Sequence, residues 1–314
     1  MRLLLCALAL GIAGCQPPEQ PDCGAECAES ADDAGRADTA ENMATDPPDF
    51  AGVPDWRPVD PENVLVLETR TGTVFVELAE RFAPAHTARM RQAARDAFFD
   101  GREFYRVIDG FVVQGGRGEE EGAETLPQYP PLQAELSVAS ETVQFTAMQD
   151  PDLYAREVGH VDGFAAGRDD RETWLLHCPG SMALARDNAA DSGDVEFYIV
   201  IGHAPRYLDR NTTVFGRVIE GMQHVQAVRR GDPAVNSGVI ADPDARDPIV
   251  SMRVLADLDP AERPVFEVMD TRGAAFHAAK TASRHRTHEW FIHTPPAVIE
   301  ACRMPAPVRR VSAD

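Results

Sequence analysis

From residue 64 onward the chain keeps returning to one unit: six to eight residues rich in Val, Ile, Phe, Tyr and Thr, closed by Gly, Asp or Pro. "VLVLET" (64–69) and "TVFVEL" (73–78) flank "RTG" (70–72). Two β-rich runs around a short Gly-containing turn predict an antiparallel hairpin. "EFYRVIDGFVVQGG" (103–116) reads as the next strand pair, with Asp109-Gly110 as its turn. "WLLHCPGSMALA" (174–185), "EFYIVIG" (196–202), "TTVFGRVI" (212–219) and "IVSMRVLA" (249–256) are also strand-like. Only two stretches read as helices. In "APAHTARMRQAARDAFFDG" (83–101), Pro84 suits a first turn. His86, Met90, Ala93, Ala94 and Ala97 then fall at loosely helical spacing, and Gly101 follows the end. "EGMQHVQAVRR" (220–230) is the second. Many short strands with two helices predict a closed barrel with capped ends. Between about 117 and 173 the pattern weakens. There "RGEEEGAET" and "VDGFAAGRDD" (161–170) read as loops, and "TVQFTAM" (142–148) as a strand.

With 314 residues and 44% hydrophobic content, the chain can build one sizeable domain with extensions. The net charge of −21 argues against phosphate backbones, so no nucleic-acid partner is expected. Between Gln16 and Asp60, 12 Asp plus Glu stand against two Arg, a net −10. Few large apolar residues accompany them, so residues 16–62 are expected to be a disordered, self-repelling tether. Before it, "MRLLLCALALGIAGC" has a charged start and an apolar core too short for a permanent membrane span. "IAGC" resembles the lipobox of bacterial lipoproteins, whose cysteine is lipidated and becomes the N-terminus. That resemblance implies lipidation of Cys15 and anchoring without a spanning helix. Gln16, in place of Asp, implies sorting to the periplasmic face of the outer membrane. The alternative is an ordinary signal peptide with a chance cysteine.

In an oxidising periplasm disulfides persist. Cys6 leaves with the signal. The simplest pairing of the rest is Cys23 with Cys27 and Cys178 with Cys302; two free buried thiols are the alternative for the second pair. The tail's "HRTHEWFIH" brings His285, His288 and His293 together, but no Cys or carboxylate completes a zinc set. They read as surface histidines, and no metal site is predicted.

The remaining anomaly is Arg106, a permanent cation among Phe104, Tyr105, Val107, Ile108, Phe111, Val112 and Val113. Taken alone it reads as a surface strand arginine paired with Glu103 or Asp109. However, "FYRVIDGFVVQGG" resembles the core motif of cyclophilins, the peptidyl-prolyl cis-trans isomerases. "GSMALA" (180–185), "EFYIVIG" and "RYLDRNTTVFGRVIEGM" (206–222) follow in that family's order and spacing, and "TGTVFVELAERFAPAHTARM" also fits. The resemblance covers residues 63–257, with an insertion at about 117–173 and a C-terminal extension, 258–314, of unknown role. It implies a mainly β fold, an eight-stranded antiparallel barrel capped by two helices. The interior would be filled by side chains and the groove would lie outside.

The resemblance also implies a site. Arg106 matches the catalytic arginine, and Gln114 the glutamine that bonds substrate and orients it. Phe111, Val112 and Tyr198 match the walls of a proline pocket, and Leu208 its floor. Ala183, Leu184 and Ala185 match a strand edge whose backbone binds peptide. Glu196 stands where Gln is common, Tyr207 where Trp is common, and Thr212 where eukaryotic members carry His. Leu184 replaces a small polar residue, which would narrow the groove. Glu196 adds negative charge beside Arg106. The "RGEEEGAETLPQYPP" loop departs from the family's Gly/Thr-rich segment, so preference before proline does not transfer. No cofactor is implied. The expected partners are proline-containing polypeptide clients and, through the lipid, the membrane; the expected state is a monomer. The competing readings are a module or scaffold that binds proline segments without catalysis and, less favoured, a metal-binding lipoprotein.

Overall fold

A computed structural model describes residues 52–118 and 126–311. The signal, Cys15, Cys23 and Cys27 lie outside the described residues. The strands run β1 (Trp56–Pro58), β2 (Val64–Thr69) and β3 (Gly72–Leu78), followed by helix α1 (Pro84–Arg95). Next come β4 (Glu103–Phe104), β5 (Arg106–Ile108) and β6 (Val112–Gly115). The insertion supplies β7 (Val138–Ala139), β8 (Thr146–Ala147), β9 (Glu157–Val161), β10 (Phe164–Arg168) and β11 (Glu172–Leu175). β12 (Ser181–Leu184), β13 (Phe197–Val200), β14 (Val214–Glu220), helix α2 (Met222–Gln226) and β15 (Asp247–Val254) complete the central part. The extension adds β16 (Val265–Met269), helix α3 (Ala274–Arg284) and β17 (Val308–Val311).

Nine strands form one antiparallel sheet in the order β4-β15-β2-β3-β14-β12-β13-β6-β5. Its two ends, β4 and β5, are one run of chain broken only at Tyr105. One half pairs with β15 and the other with β6, so the ring closes across the break. The nine strands are therefore the expected eight with one interrupted. The interior is packed with aliphatic and aromatic side chains, among them Leu65, Val76, Phe104, Val107, Val113, Met182, Phe197, Phe215 and Met252. α1 adds Met90, Ala93 and Ala94 to that core, and α2 adds Val225. α2 is shorter than the sequence pattern suggested.

Three expectations are corrected. "VDGFAAGRDD" is not a loop. β9 and β10 form a hairpin across Asp162-Gly163, both with positive φ (51° and 85°). That backbone suits the Asp-Gly dipeptide, the turn chemistry of two-residue hairpins. "TVQFTAM" is mostly irregular, with only Thr146 and Ala147 paired. The tether does not extend to residue 62, because Trp56–Pro58 pairs with Met269–Glu267 of the extension. Its neighbour Val59 donates its N–H to the Phe266 carbonyl at 2.9 Å. A strand whose partner lies some 200 residues away leaves no local periodicity to read.

The extension therefore docks rather than trails. β1, β16 and β17 form one sheet. Phe276 of α3 is buried with Met148, Val158, Trp174 and Leu176 of the insertion region. Cys178 and Cys302 are joined by a disulfide. The buried His160 ring lies 2.8 Å from the Met304 carbonyl, which accepts from Nε2, and burial pushes its pKa down to about 4. α3 is a helix beyond the two predicted.

Candidate active site

Strand register lines up one row of side chains across five strands. Arg106 faces Gln114, Gln114 faces Tyr198, Tyr198 faces Ala183, and Ala183 faces Val214. Directly opposed residues share a sheet face. The alternate residues, Val107, Val113, Ile199 and Met182, fill the interior. The row therefore lies on the outer surface of the barrel. Val112 and Val200, also paired, extend it by one step.

Arg106 is half-buried, and its guanidinium is held from two sides. Nη1 donates to Gln114 Oε1 at 2.9 Å, and Nε donates to the Ser237 carbonyl at 3.0 Å. Gln114 Nε2 in turn donates to the Tyr105 hydroxyl at 2.6 Å. Both carboxylates that would make Arg106 an ordinary surface ion pair are occupied elsewhere. Glu103 pairs with Arg246 at 2.8 Å and Asp109 with Arg230 at 3.0 Å. Among the described residues Arg106 has no carboxylate partner, Glu196 included. A cation oriented by neutral groups keeps donors for something else.

The Ser237 carbonyl was not foreseen. It comes from Asn236–Gly238, three successive residues with positive φ (47°, 53° and 84°). A Cβ at Gly238 would lie 2.5 Å from Ile108 Cγ1, so glycine is required there on two counts. The chain on either side of this segment bridges the broken strand: Gly231 and Ile240 donate their N–H groups to the Val107 and Tyr105 carbonyls, both at 2.8 Å. Nothing in the sequence of this segment points to the arginine.

Beside the arginine, the outer face is apolar. Val112, Ala183, Tyr198 and Val214 are buried in a cluster with Phe164, Ala166 and Leu175 of the insertion sheet. Phe111 and Leu208 are only partly buried at its margin. Val112 and Tyr198 are thus buried in this face, and Phe111 and Leu208 are its more accessible apolar side chains. Tyr207 is exposed (63%).

The Ala183–Ala185 stretch departs from the expectation. Leu184 does not narrow the groove. Strand alternation turns it away from Ala183, and it is buried in the barrel core with Val195. Its N–H donates to the Thr213 carbonyl at 2.9 Å, and the Ala185 N–H to the Glu196 carbonyl at 2.9 Å. Those two amides are therefore not available to a substrate strand.

Beneath Tyr198 runs a polar network that the sequence did not disclose. His177 is fully buried. Its Nδ1 lies 3.0 Å from Asp209 Oδ1, and Nε2 lies 2.9 Å from the Tyr198 hydroxyl and 3.0 Å from Thr212 Oγ1. The two hydroxyls are 2.5 Å apart. An ionised carboxylate only accepts, so Nδ1 carries a proton, and in the neutral ring Nε2 accepts from a hydroxyl. Burial raises the Tyr198 pKa, so the phenol stays protonated. Arg206 pins Asp209 from the far side at 2.5 Å and holds Asp152 bidentately at 3.0 and 3.1 Å. His177→Phe fills a similar volume but removes the ring partner of three polar side chains, Asp209, Tyr198 and Thr212. It is expected to cost about 1–3 kcal/mol of stability. An unchanged urea midpoint would show that the network holds nothing in place.

Glu196 is also buried (7% exposed), beside Tyr105 and Gln114, and accepts the Gly118 N–H at 3.2 Å. Burial pushes its pKa up to about 7 from an ordinary 4.5. The native carboxyl then keeps its proton where the unfolded one has lost it. Stability is expected to fall as pH rises from about 4.5 to 7, by on the order of 3 kcal/mol. Glu196→Gln removes that dependence. Urea midpoints of the two proteins should agree near pH 4 and diverge by pH 8, with the variant more stable; parallel profiles would contradict this assignment.

No group of three or more His, Cys, Asp or Glu among the described residues is placed to hold a metal. His285, His288 and His293 lie in an exposed stretch.

Comparison with known proteins bears on the same residues. The model of the family described as "Cyclophilin type peptidyl-prolyl cis-trans isomerase/CLD" matches residues 64–254. A "Probable peptidyl-prolyl cis-trans isomerase" of Brucella suis is 27% identical over 195 residues, 59% of this chain and 80% of the relative. "Peptidyl-prolyl cis-trans isomerase-like 1" of Mus musculus is 26% identical over 187 residues, covering 59% and 86%. Among solved structures, cyclophilin AquaCyp293 from Hirschia baltica superposes with a TM-score of 0.66 at 28% identity, covering 82% of this chain and 95% of that one.

Proposed function

The chain belongs to the cyclophilin-type peptidyl-prolyl cis-trans isomerases, and from that premise we propose that Arg106 assists rotation about X–Pro bonds held against Phe111 and Leu208. The amide barrier is about 18–20 kcal/mol because the nitrogen lone pair is conjugated. At X–Pro the two isomers differ by only about 0.5–1 kcal/mol, yet exchange takes tens of seconds or longer. In the twisted transition state the lone pair is localised and basic. A donor aimed at the prolyl nitrogen binds that state more strongly than either planar ground state, which is what acceleration requires. Arg106 suits the task. It is always charged, it presents several donors in a plane, and Gln114 and Ser237 occupy only two of them. The apolar rim holds the ring and limits water, which strengthens the interaction. No nucleophile or acid–base pair takes part.

The observation that supports this reading most directly is the oriented arginine, with no acidic partner among the described residues, beside an apolar face. A protease-free isomerisation assay on X–Pro tetrapeptides tests it. Exchange at the uncatalysed rate would favour the second reading, a proline-binding module. That reading draws support from the burial of Val112, Ala183 and Tyr198 under the insertion.

The further context is also proposed: a monomer tethered by lipidated Cys15 to the periplasmic face of the outer membrane, assisting the folding of exported polypeptides. "IAGC" and the acidic segment support it. Globomycin treatment should cause the precursor to accumulate; unchanged processing would count against the lipid.

A further inference from the structure

The insertion and the extension enclose a second feature that the isomerase site does not use. A cavity of about 1490 Å³ lies where they meet the barrel. Phe111 and Val214 of the barrel, Phe164 and Leu175 of the insertion, and the Val298–Val308 segment of the extension all line it. Small-molecule sites occupy about 300–1,000 Å³, so this one exceeds a compact ligand and suits a length of polymer. Its buried and half-buried arginines are already matched, while Glu300 and Arg303 lie exposed on its extension side. Arg206 is held by Asp152 and Asp209, and Arg217 by Glu77. Four large apolar side chains on its lining are exposed: Leu153 (97%), Tyr154, Tyr207 and Val298. Exposed apolar residues grouped around one cavity mark an interaction site, whereas the same residues scattered singly would not.

Continuity identifies the occupant. Phe111 lines this cavity and also packs at the margin of the proposed proline site. A polypeptide seated at Arg106 that continues past Phe111 enters it directly. We propose that this cavity is an accessory binding groove for the apolar, aromatic-rich segment that adjoins the isomerised proline in an unfolded client chain. The proposal rests on the isomerase reading for its register, but binding in the groove does not need turnover. The groove selects long apolar clients over short peptides. The insertion and the extension build most of it, which gives the extension a role.

The test uses the full chain and a Leu153→Ser/Val298→Ser variant. Both side chains are exposed or half-exposed at the cavity, and neither belongs to the cluster that holds Val112, Ala183, Tyr198 and Val214. The first measurement is fluorescence anisotropy with a labelled fifteen-residue peptide rich in Leu, Phe and Tyr and lacking proline. The wild-type chain should bind it, and the variant should bind at least about tenfold more weakly, about 1.4 kcal/mol. No binding, or equal binding, overturns the groove whatever the catalytic result. The second compares KM for an Ala-Pro tetrapeptide with that for the same unit carrying the apolar run on either side. The long substrate should show the lower KM, and the variant should lose that advantage while turning over the tetrapeptide as before. A variant that loses the tetrapeptide activity as well would overturn the separation of the two sites. A chain that binds the apolar peptide yet turns over neither substrate would fail as an isomerase and still possess the groove.

Discussion

Without the Cys178–Cys302 bridge, the protein is expected to lose a large share of its stability. The bridge joins positions 124 apart in sequence. In the chain-entropy picture, closing a loop of that length disfavours the unfolded state by about 5 kcal/mol, and removal of native bridges costs about 2–5 kcal/mol. The structure indicates where the loss falls. Cys178 follows the insertion sheet and leads into β12, and it is buried with Phe276, Ile299, Ala301 and Met304. The barrel interior is a separate cluster. A Cys178→Ser/Cys302→Ser chain should therefore release its extension at lower urea than the barrel needs to unfold, giving two transitions. One transition at the wild-type midpoint, with or without reductant, would show that the bridge contributes nothing. Turnover of short peptides should survive release of the extension, because Arg106, Gln114 and Ser237 belong to the barrel and its closing loop.

Replacing Arg106 with alanine is the second large effect. Loss of one oriented donor from a transition-state site typically costs about 100- to 1,000-fold in rate. Here kcat should fall by that order with little change in KM, since Phe111 and Leu208 still hold the ring. Arg106→Lys should recover only part of the loss. Lysine offers a point charge on a flexible stem, and it cannot satisfy Gln114 and Ser237 while also reaching a substrate nitrogen. The fold should be untouched, because Arg106 forms no ion pair among the described residues. A rate within twofold of wild type for Arg106→Ala would remove the arginine from the mechanism.

How much of this was readable in the sequence depended on distance along the chain. The Val64–Thr69/Gly72–Leu78 hairpin and α1 announce themselves by local pattern; the structure places the hairpin within a residue of the predicted bounds, whereas α1 starts at Pro84 as expected but ends at Arg95, before Ala97. The row from Arg106 to Ala183 was reachable because its members sit in three motif strings with fixed alternation. Leu184 was misread by position matching alone. Simple alternation from Ala183 already turns its side chain inward, and that physical rule was the better guide. The β9–β10 hairpin was missed by letting a Gly- and Asp-rich composition outweigh the Asp162-Gly163 turn within it. Other features had no local signature. β1 exists only because β16 completes it. The partners of His177, Tyr198, Asp209 and Thr212, lie 21 to 35 residues away and share no local pattern with it. The Ser237 carbonyl could not be seen at all, since a backbone acceptor leaves no mark in a sequence.

The central claim is that this chain accelerates X–Pro rotation at Arg106. Two-dimensional exchange NMR on an Ala-Pro tetrapeptide tests it most directly, because it observes cis and trans signals without a coupled protease. With a catalytic amount of the wild-type chain, exchange cross-peaks should appear on a sub-second timescale, against tens of seconds or longer for the free peptide. The same spectra with Arg106→Ala should lack them. Exchange at the free-peptide rate with the folded wild-type chain, or equal exchange from both chains, would contradict the account.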